Sequence, residues 1–219
     1  MIILALKKSL TNKFMLKSQK LKGLTILYFV FLFPKMVFTQ HHITKYEYCW
    51  AFWHPFSAVM IKKKLPQVMM VYKFVKTQKT LDTLDVGGKL DAFRHIYTMA
   101  YLSKFIQIKK LRKLGKAHEK GSKHLFDKNK TELGERSDSL ACVMDLRNNE
   151  LGFEIGEKYK NGEFENLTEY VINQIKLGKA WYLKKSIENV YVDCQDIPIK
   201  MENYQNVWFV PKCLIATNL

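Results

Sequence analysis

The stretch GGKLDAFRHIYTMAYLSKF, residues 87–105, limits the fold more than any other part of this chain. On a helix, at about 100° per residue, Asp91, Arg94, His95 and Thr98 fall at i, i+3, i+4 and i+7 and share one face. Leu102 and Phe105 continue that face. A solvated face would stay polar, whereas this one turns apolar after two turns, so its charged group is expected to be at least partly buried. Buried charges need partners. A second element must therefore meet this helix with complementary polar groups.

SDSLACVMDLRNNELGFEIG, residues 137–156, supplies one. Asp138, Ala141, Asp145, Asn148, Asn149 and Gly152 share a helical face, and the last four repeat the i, i+3, i+4, i+7 spacing. Ala141 and Gly152 are small enough to admit another backbone. The two polar faces are expected to meet, with Asp145 taking Arg94 and Asn149 orienting His95. A third set, His118 and Glu119 in KAHEKG, is expected to bring one of its two side chains to the cluster.

Two histidines, up to four carboxylates, one arginine and two asparagines can do two kinds of chemistry. His95 or His118 can act as general base, with Glu119 or Asp145 fixing its tautomer and Arg94 stabilising an anionic transition state. His95, His118, Glu119 and Asp145 are equally candidate ligands for a divalent metal. Asp91, Asn148 and Asn149 are candidate binding residues. The alternative is a polar core that only locks helix packing. HEKGSKH is not a zincin motif, because His118 and His124 are six apart, about 240° on a helix. No GxSxG elbow is present.

Around these motifs the chain reads as mainly α, a compact helical bundle with a short irregular or β-like tail. The expected divisions are 1–39, a signal peptide; 40–88, an aromatic-rich helical segment; 89–189, the core carrying the motifs; and 190–219, the tail. Pro55 and Pro66 each open a helical piece. Helices are expected over 89–106, 109–123 and 131–159, with one more capped by Asn166 or Thr168. In the tail, NVYVDC and NVWFV are candidates to pair as strands.

Residues 1–39 hold seven lysines and no acid. Lys13, Lys17, Lys20 and Lys22 precede an apolar run at residues 24–33, ended by Pro34, with Val37 and Thr39 before a cleavage point at Gln40. The run is shorter than the roughly 20 residues that span a bilayer, which favours a cleaved export signal over the alternative, a membrane anchor. Translation can equally start at Met15. Of the net +16, residues 40–219 keep 29 basic against 20 acidic residues, or +9. Such a surface suits anionic lipid or cell-wall material, and no motif for specific nucleic-acid recognition accompanies it. Four cysteines beyond the signal either pair, Cys194 with Cys213 closing the tail, or remain buried thiols.

GGKLDAFRHIYTMA, LGKAHEKG and MDLRNNELGFEIG, with WHP upstream, resemble a family of secreted proteins common in Bacteroidota and known only as a domain of unknown function. Its signature runs D-A-x-R-H, A-H-E, M-D-x-x-N-N-x-x-G, and related modules end large secreted and polymorphic-toxin proteins. The likeness spans residues 49–159. It implies site residues at Asp91, Arg94, His95, His118, Glu119, Asp145, Asn148, Asn149 and Gly152, and no particular reaction. Ser122 stands where the family pattern leads one to expect Asn. The Arg94–His95 helix also resembles, in arrangement only, that of secreted phospholipases, whose His-Asp dipeptide and calcium loop are missing here.

Overall fold

A Thr-x-x-Glu sequence opens the first helix of the computed structural model, which describes residues 43–131 and 134–218. The expected signal, residues 1–39, together with His41 and His42, lies outside the described residues. Thr44 precedes α1 (Lys45–Trp53), and its backbone N–H donates to Glu47 Oε2 at 2.8 Å, one half of a capping box. His54 ends α1, its Nδ1 2.9 Å from the Trp50 carbonyl and its ring stacked on the Trp50 indole. Pro55 then begins α2 (Pro55–Gln78) in the first turn, where its missing N–H has no partner to lose.

Pro66 does not open a new piece as expected; it lies inside α2. Buried Val68, Tyr72 and Val75, two, six and nine residues beyond it, hold the helix on the next one. Tertiary burial here outweighs the lost backbone bond.

That next helix, α3 (Lys89–Ser103), is the centre of the molecule, with Leu90, Ala92, Phe93, Ile96 and Ala100 fully buried. It ends three residues earlier than expected. Its start is set from a distance. Asp82 accepts from the backbone N–H groups of Leu84, Lys89 and Leu90, and so caps α3 from seven and eight residues upstream. The Gly-Gly pair lets this happen. Gly87 has φ +75°, and a Cβ on Gly88 would lie 2.7 Å from the Asp82 carboxylate.

After α4 (Ile108–Asp127) the third predicted core helix begins later than Thr131. In α5 (Ser139–Lys160) Asp138 is the N-cap, its Oδ1 accepting from the N–H groups of Leu140 and Ala141 at 2.9 and 3.1 Å. Gly152 rather than Ala141 brings α5 close to α3, since a Cβ on it would stand 2.6 Å from the Ile96 carbonyl oxygen. Gly156, one turn on, meets the Ala100 carbonyl in the same way, at 2.9 Å. α6 (Leu167–Lys176) is capped by Asn166, whose Oδ1 accepts from Glu169 N–H.

The tail pairs differently from expectation. β1 (Trp181–Leu183) lies antiparallel to β2 (Leu214–Ala216), with Tyr182 opposite Ile215, while Tyr191 and Val192 make only isolated bridges. Cys194 and Cys213 form a disulfide; Cys49 and Cys142 are free. Leu183, Tyr191, Ile199 and Val210 pack with Met144 of α5 in a second small core. Beneath it Lys212 Nζ reaches Asp138 Oδ2 at 2.7 Å, both side chains almost wholly buried. The described residues form one unit, mainly α with a small two-stranded sheet. Among the described residues no helix is long and apolar enough to cross a membrane.

Candidate functional site

The close passage of α3 and α5 at Gly152 brings the two polar faces together one to two turns away. His95 Nε2 stands 3.4 Å from Asp91 Oδ1 on its own helix and 3.3 Å from Asp145 Oδ1 on α5. One ligand atom from each of Asp91, His95 and Asp145 lies within 4.8 Å of the other two. The side chains of Asp91, His95 and Asp145 are 3%, 10% and 16% exposed, so water reaches the group only at its edge.

Asp91 is fully engaged. Its Oδ2 accepts from Gly87 N–H at 2.7 Å, and its Oδ1 accepts from Arg94 Nη2 at 2.6 Å. Burial pushes this carboxyl up, but the Arg94 charge, the His95 hydrogen bond and charge, and the Gly87 N–H outweigh it and hold the group at about 2. Arg94 therefore pairs one turn back on α3 instead of with Asp145, as the sequence had suggested. Its Nη2 also lies 3.4 Å from His95 Nε2. Burial works against the guanidinium charge, and Asp91, Asp145 and Tyr72 more than restore it.

Asp145 is the opposite case. Its Oδ1 is buried and has no hydrogen-bond partner; His95 is near but outside hydrogen-bond geometry. Burial pushes the carboxyl up to about 8, with Glu119 and Asp91 adding to the rise and His95 and Arg94 opposing it. Two carboxylates thus flank one imidazole nitrogen, one held ionised and the other held protonated near neutrality.

Of the adjacent pair on α4, Glu119 is the residue that faces this group. It is buried, and its charge acts on Asp145 and on the Cys142 thiol. Burial, then Glu119, push that thiol far up, which makes Cys142 inert as a nucleophile. His118 turns about 100° away. Its Nδ1 lies 3.1 Å from Glu47 Oε1, tying α4 to α1. Ser122 is buried with its hydroxyl on the His118 carbonyl at 3.4 Å.

The two asparagines differ. Asn148 is wholly buried and brackets the Trp181 backbone, its Nδ2 donating to the carbonyl at 2.9 Å and its Oδ1 accepting from the N–H at 3.0 Å. It anchors the tail. Asn149 does not orient His95; its amide nitrogen lies 3.1 Å from where a Cβ on Gly115 would be, and its Oδ1 is buried without a donor. Two acceptor oxygens on adjacent turns of α5 therefore lack donors. Thr98 bonds back to the Arg94 carbonyl at 2.6 Å.

Sequence reasoning did not single out Glu47, Asp82, Lys212 or Tyr191. Glu47 was readable from the Thr44–Glu47 capping spacing, and Asp82 from the turn before the Gly-Gly pair. Lys212 and Tyr191 carried no local signal. The Tyr191 hydroxyl donates to Glu135 at 2.7 Å and lies 3.0 Å from where a Cβ on Gly87 would be, so the tail reaches the rim of the group.

No curated protein and no solved structure is significantly similar to this chain. A family model described as a domain of unknown function, DUF6973, matches residues 48–179 and so takes in all three motif stretches. The chain belongs to that family.

Proposed function

We propose that the chain is an exported hydrolase whose Asp91, His95 and Asp145, with Glu119 behind Asp145, form an acid–base and divalent-cation centre acting on envelope material, lipid or peptidoglycan. The observation that carries this reading is the buried Asp145 Oδ1 without a hydrogen-bond partner, set against an imidazole nitrogen and a second carboxylate. A structural core satisfies most such oxygens, so an orphan acceptor beside an imidazole and a second carboxylate points to a site. One imidazole and two carboxylates form a donor set that suits a divalent cation, which would polarise a carbonyl or phosphoryl oxygen of the substrate. The protein's own groups divide the remaining work. Asp91, fixed by Gly87 N–H and Arg94, orients His95; His95 Nε2 either would hold the cation or, with none bound, takes a proton from the attacking water; Arg94, the most exposed of the set, faces developing negative charge. Export rests on the basic and apolar residues 1–39 and agrees with the Cys194–Cys213 disulfide.

The test is thermal melting of the wild type and of Asp145→Asn and His95→Ala, with Mn²⁺, Zn²⁺ or Mg²⁺ and with a chelator. A site-specific cation at about one hundred times its Kd should stabilise the wild type by about 2.7 kcal/mol and leave both variants unmoved. Hydrolysis of phospholipid and of cell-wall fragments should vanish in both. If the cations shift all three proteins equally and the wild type cleaves neither substrate class, the enzyme reading is withdrawn. The second reading, a non-catalytic secreted scaffold, then stands. Asn148 favours it, since that motif residue uses both amide atoms to hold the tail.

A further inference from the structure

Helix α2 is apolar on two opposed faces, and the fold covers one of them. Ser57, Val68, Tyr72 and Val75 form the buried arc against α3. Taking Phe56 as zero, Val59, Lys63, Met70 and Phe74 fall within about 60° of it on the opposite side. Phe56 is 91% exposed, and Val59, Met70 and Phe74 are each more than half exposed. Next to Phe56, across the His54–Pro55 joint, Phe52 and Trp53 meet edge to face with Trp53 72% exposed. From Phe56 to Phe74 the stripe runs about 27 Å along the helix. A contiguous exposed apolar patch of this kind marks an interaction surface.

The charge around the stripe identifies the partner. Residues 43–81 contain seven lysines, at 45, 62, 63, 64, 73, 76 and 79, and one acid, Glu47. Glu47 is turned inward on His118 and the Thr44 N–H. Lys63 sits in the apolar stripe itself, and Lys73 is exposed on its flank. A long lysine side chain lays its methylenes along an apolar surface and keeps its ammonium at headgroup level, while Trp and Phe insert at the boundary of the acyl chains. A protein partner of matching size would have to bury these ammonium groups; a bilayer leaves them solvated.

We propose that the outer face of α2, with Phe52 and Trp53 at the end of α1, docks the protein on an anionic lipid bilayer. The helix lies along the surface: it carries too many lysines to span. This docking stands apart from the hydrolase reading, because none of its residues belongs to the Asp91–His95–Asp145 group, and it holds whether or not that group is catalytic.

The full chain is mixed with vesicles of phosphatidylglycerol and phosphatidylcholine carrying brominated acyl chains, and with vesicles of brominated phosphatidylcholine alone. The difference in emission between wild type and Trp53→Phe isolates Trp53. Trp53 should be quenched by the anionic vesicles and at least tenfold less readily by the zwitterionic ones. Lys63→Glu/Lys73→Glu and Phe56→Ser should each raise the lipid concentration at half quenching tenfold or more, with unchanged far-ultraviolet dichroism. Three results overturn the proposal: no vesicle binding; binding that leaves Trp53 unquenched, which assigns attachment to another segment; or Trp53 shielded from acrylamide without lipid and exposed on dilution, which assigns the face to a second copy of this chain.

Discussion

Replacing Asp145 by Asn should make the protein more stable at neutral pH, although it alters a buried residue in the middle of a polar group. The reasoning is a linkage argument. Burial and the neighbouring Glu119 and Asp91 carry the Asp145 carboxyl from an ordinary 3.8 to about 8 in the folded chain. In the unfolded chain it ionises near 4. Between these values the native state holds a proton that the unfolded state has released, so stability falls as pH rises. The contribution is fully present below about pH 4 and is lost as pH rises through about 8. At about 1.4 kcal/mol per unit, the three units between 4 and 7 amount to about 4 kcal/mol of stability forgone at pH 7. Asparagine has the shape of the protonated acid and no proton to lose. Asp145→Asn should therefore match the wild type near pH 4 and exceed it by about 2–4 kcal/mol at pH 7, a rise in Tm on the order of 5–10 °C. Asp91 provides a contrast within the same cluster. Its folded value of about 2 gives stability present above about pH 4 and lost as pH falls through 2, so the wild type should show a maximum between the two windows. The assay is denaturant unfolding of both proteins from pH 3 to pH 9. Parallel pH profiles, or a variant less stable than the wild type at pH 8, would refute the claim that Asp145 is held protonated. A native protein that keeps a destabilising carboxylate in place has sacrificed stability at that position, the pattern expected of a functional site.

Gly152→Ala should cost about 2 kcal/mol or more in chemical denaturation, because the new Cβ meets the Ile96 carbonyl oxygen at 2.6 Å and the two helices must part. The same change should weaken any cation-induced stabilisation, since it separates His95 from Asp145. Asp138→Ala strands Lys212, which is 5% exposed, and should cost about 3–5 kcal/mol by the same measurement; Asp138→Ala with Lys212→Met should recover most of that loss. Cys194→Ser with Cys213→Ser opens a 19-residue separation and should lower stability by about 3 kcal/mol, with proteolysis beginning in the tail. N-terminal sequencing of the chain made by its native host should find the first residue near Gln40, and a chain that keeps residues 24–33 would mark those residues as an anchor instead.

What the sequence alone determined was local and directional. Helical periodicity placed Asp91 and His95 on one face and Asp145 on another, and the switch from polar to apolar at Leu102 showed that the first face was covered. The mainly α class, a cap for α6 at Asn166 or Thr168, of which the structure uses Asn166, and the start of α2 at Pro55 follow from residue chemistry acting over one or two turns. Tertiary structure alone decided who meets whom. The choice between His118 and Glu119 depended on the rotation of α4 about its axis, which Gly115 and Gly121 set by admitting Asn149 and Thr44. Arg94 had two acids within its reach, and the one already fixed by Gly87 N–H took it. Asn148 was recruited by the backbone of Trp181, 33 residues away, and Asp138 by Lys212 from the tail. A sequence records the directions in which side chains leave their own helix. The angle and distance at which two helices cross are collective results of packing, and a polar cluster assembled from three helices inherits its pairings from those angles.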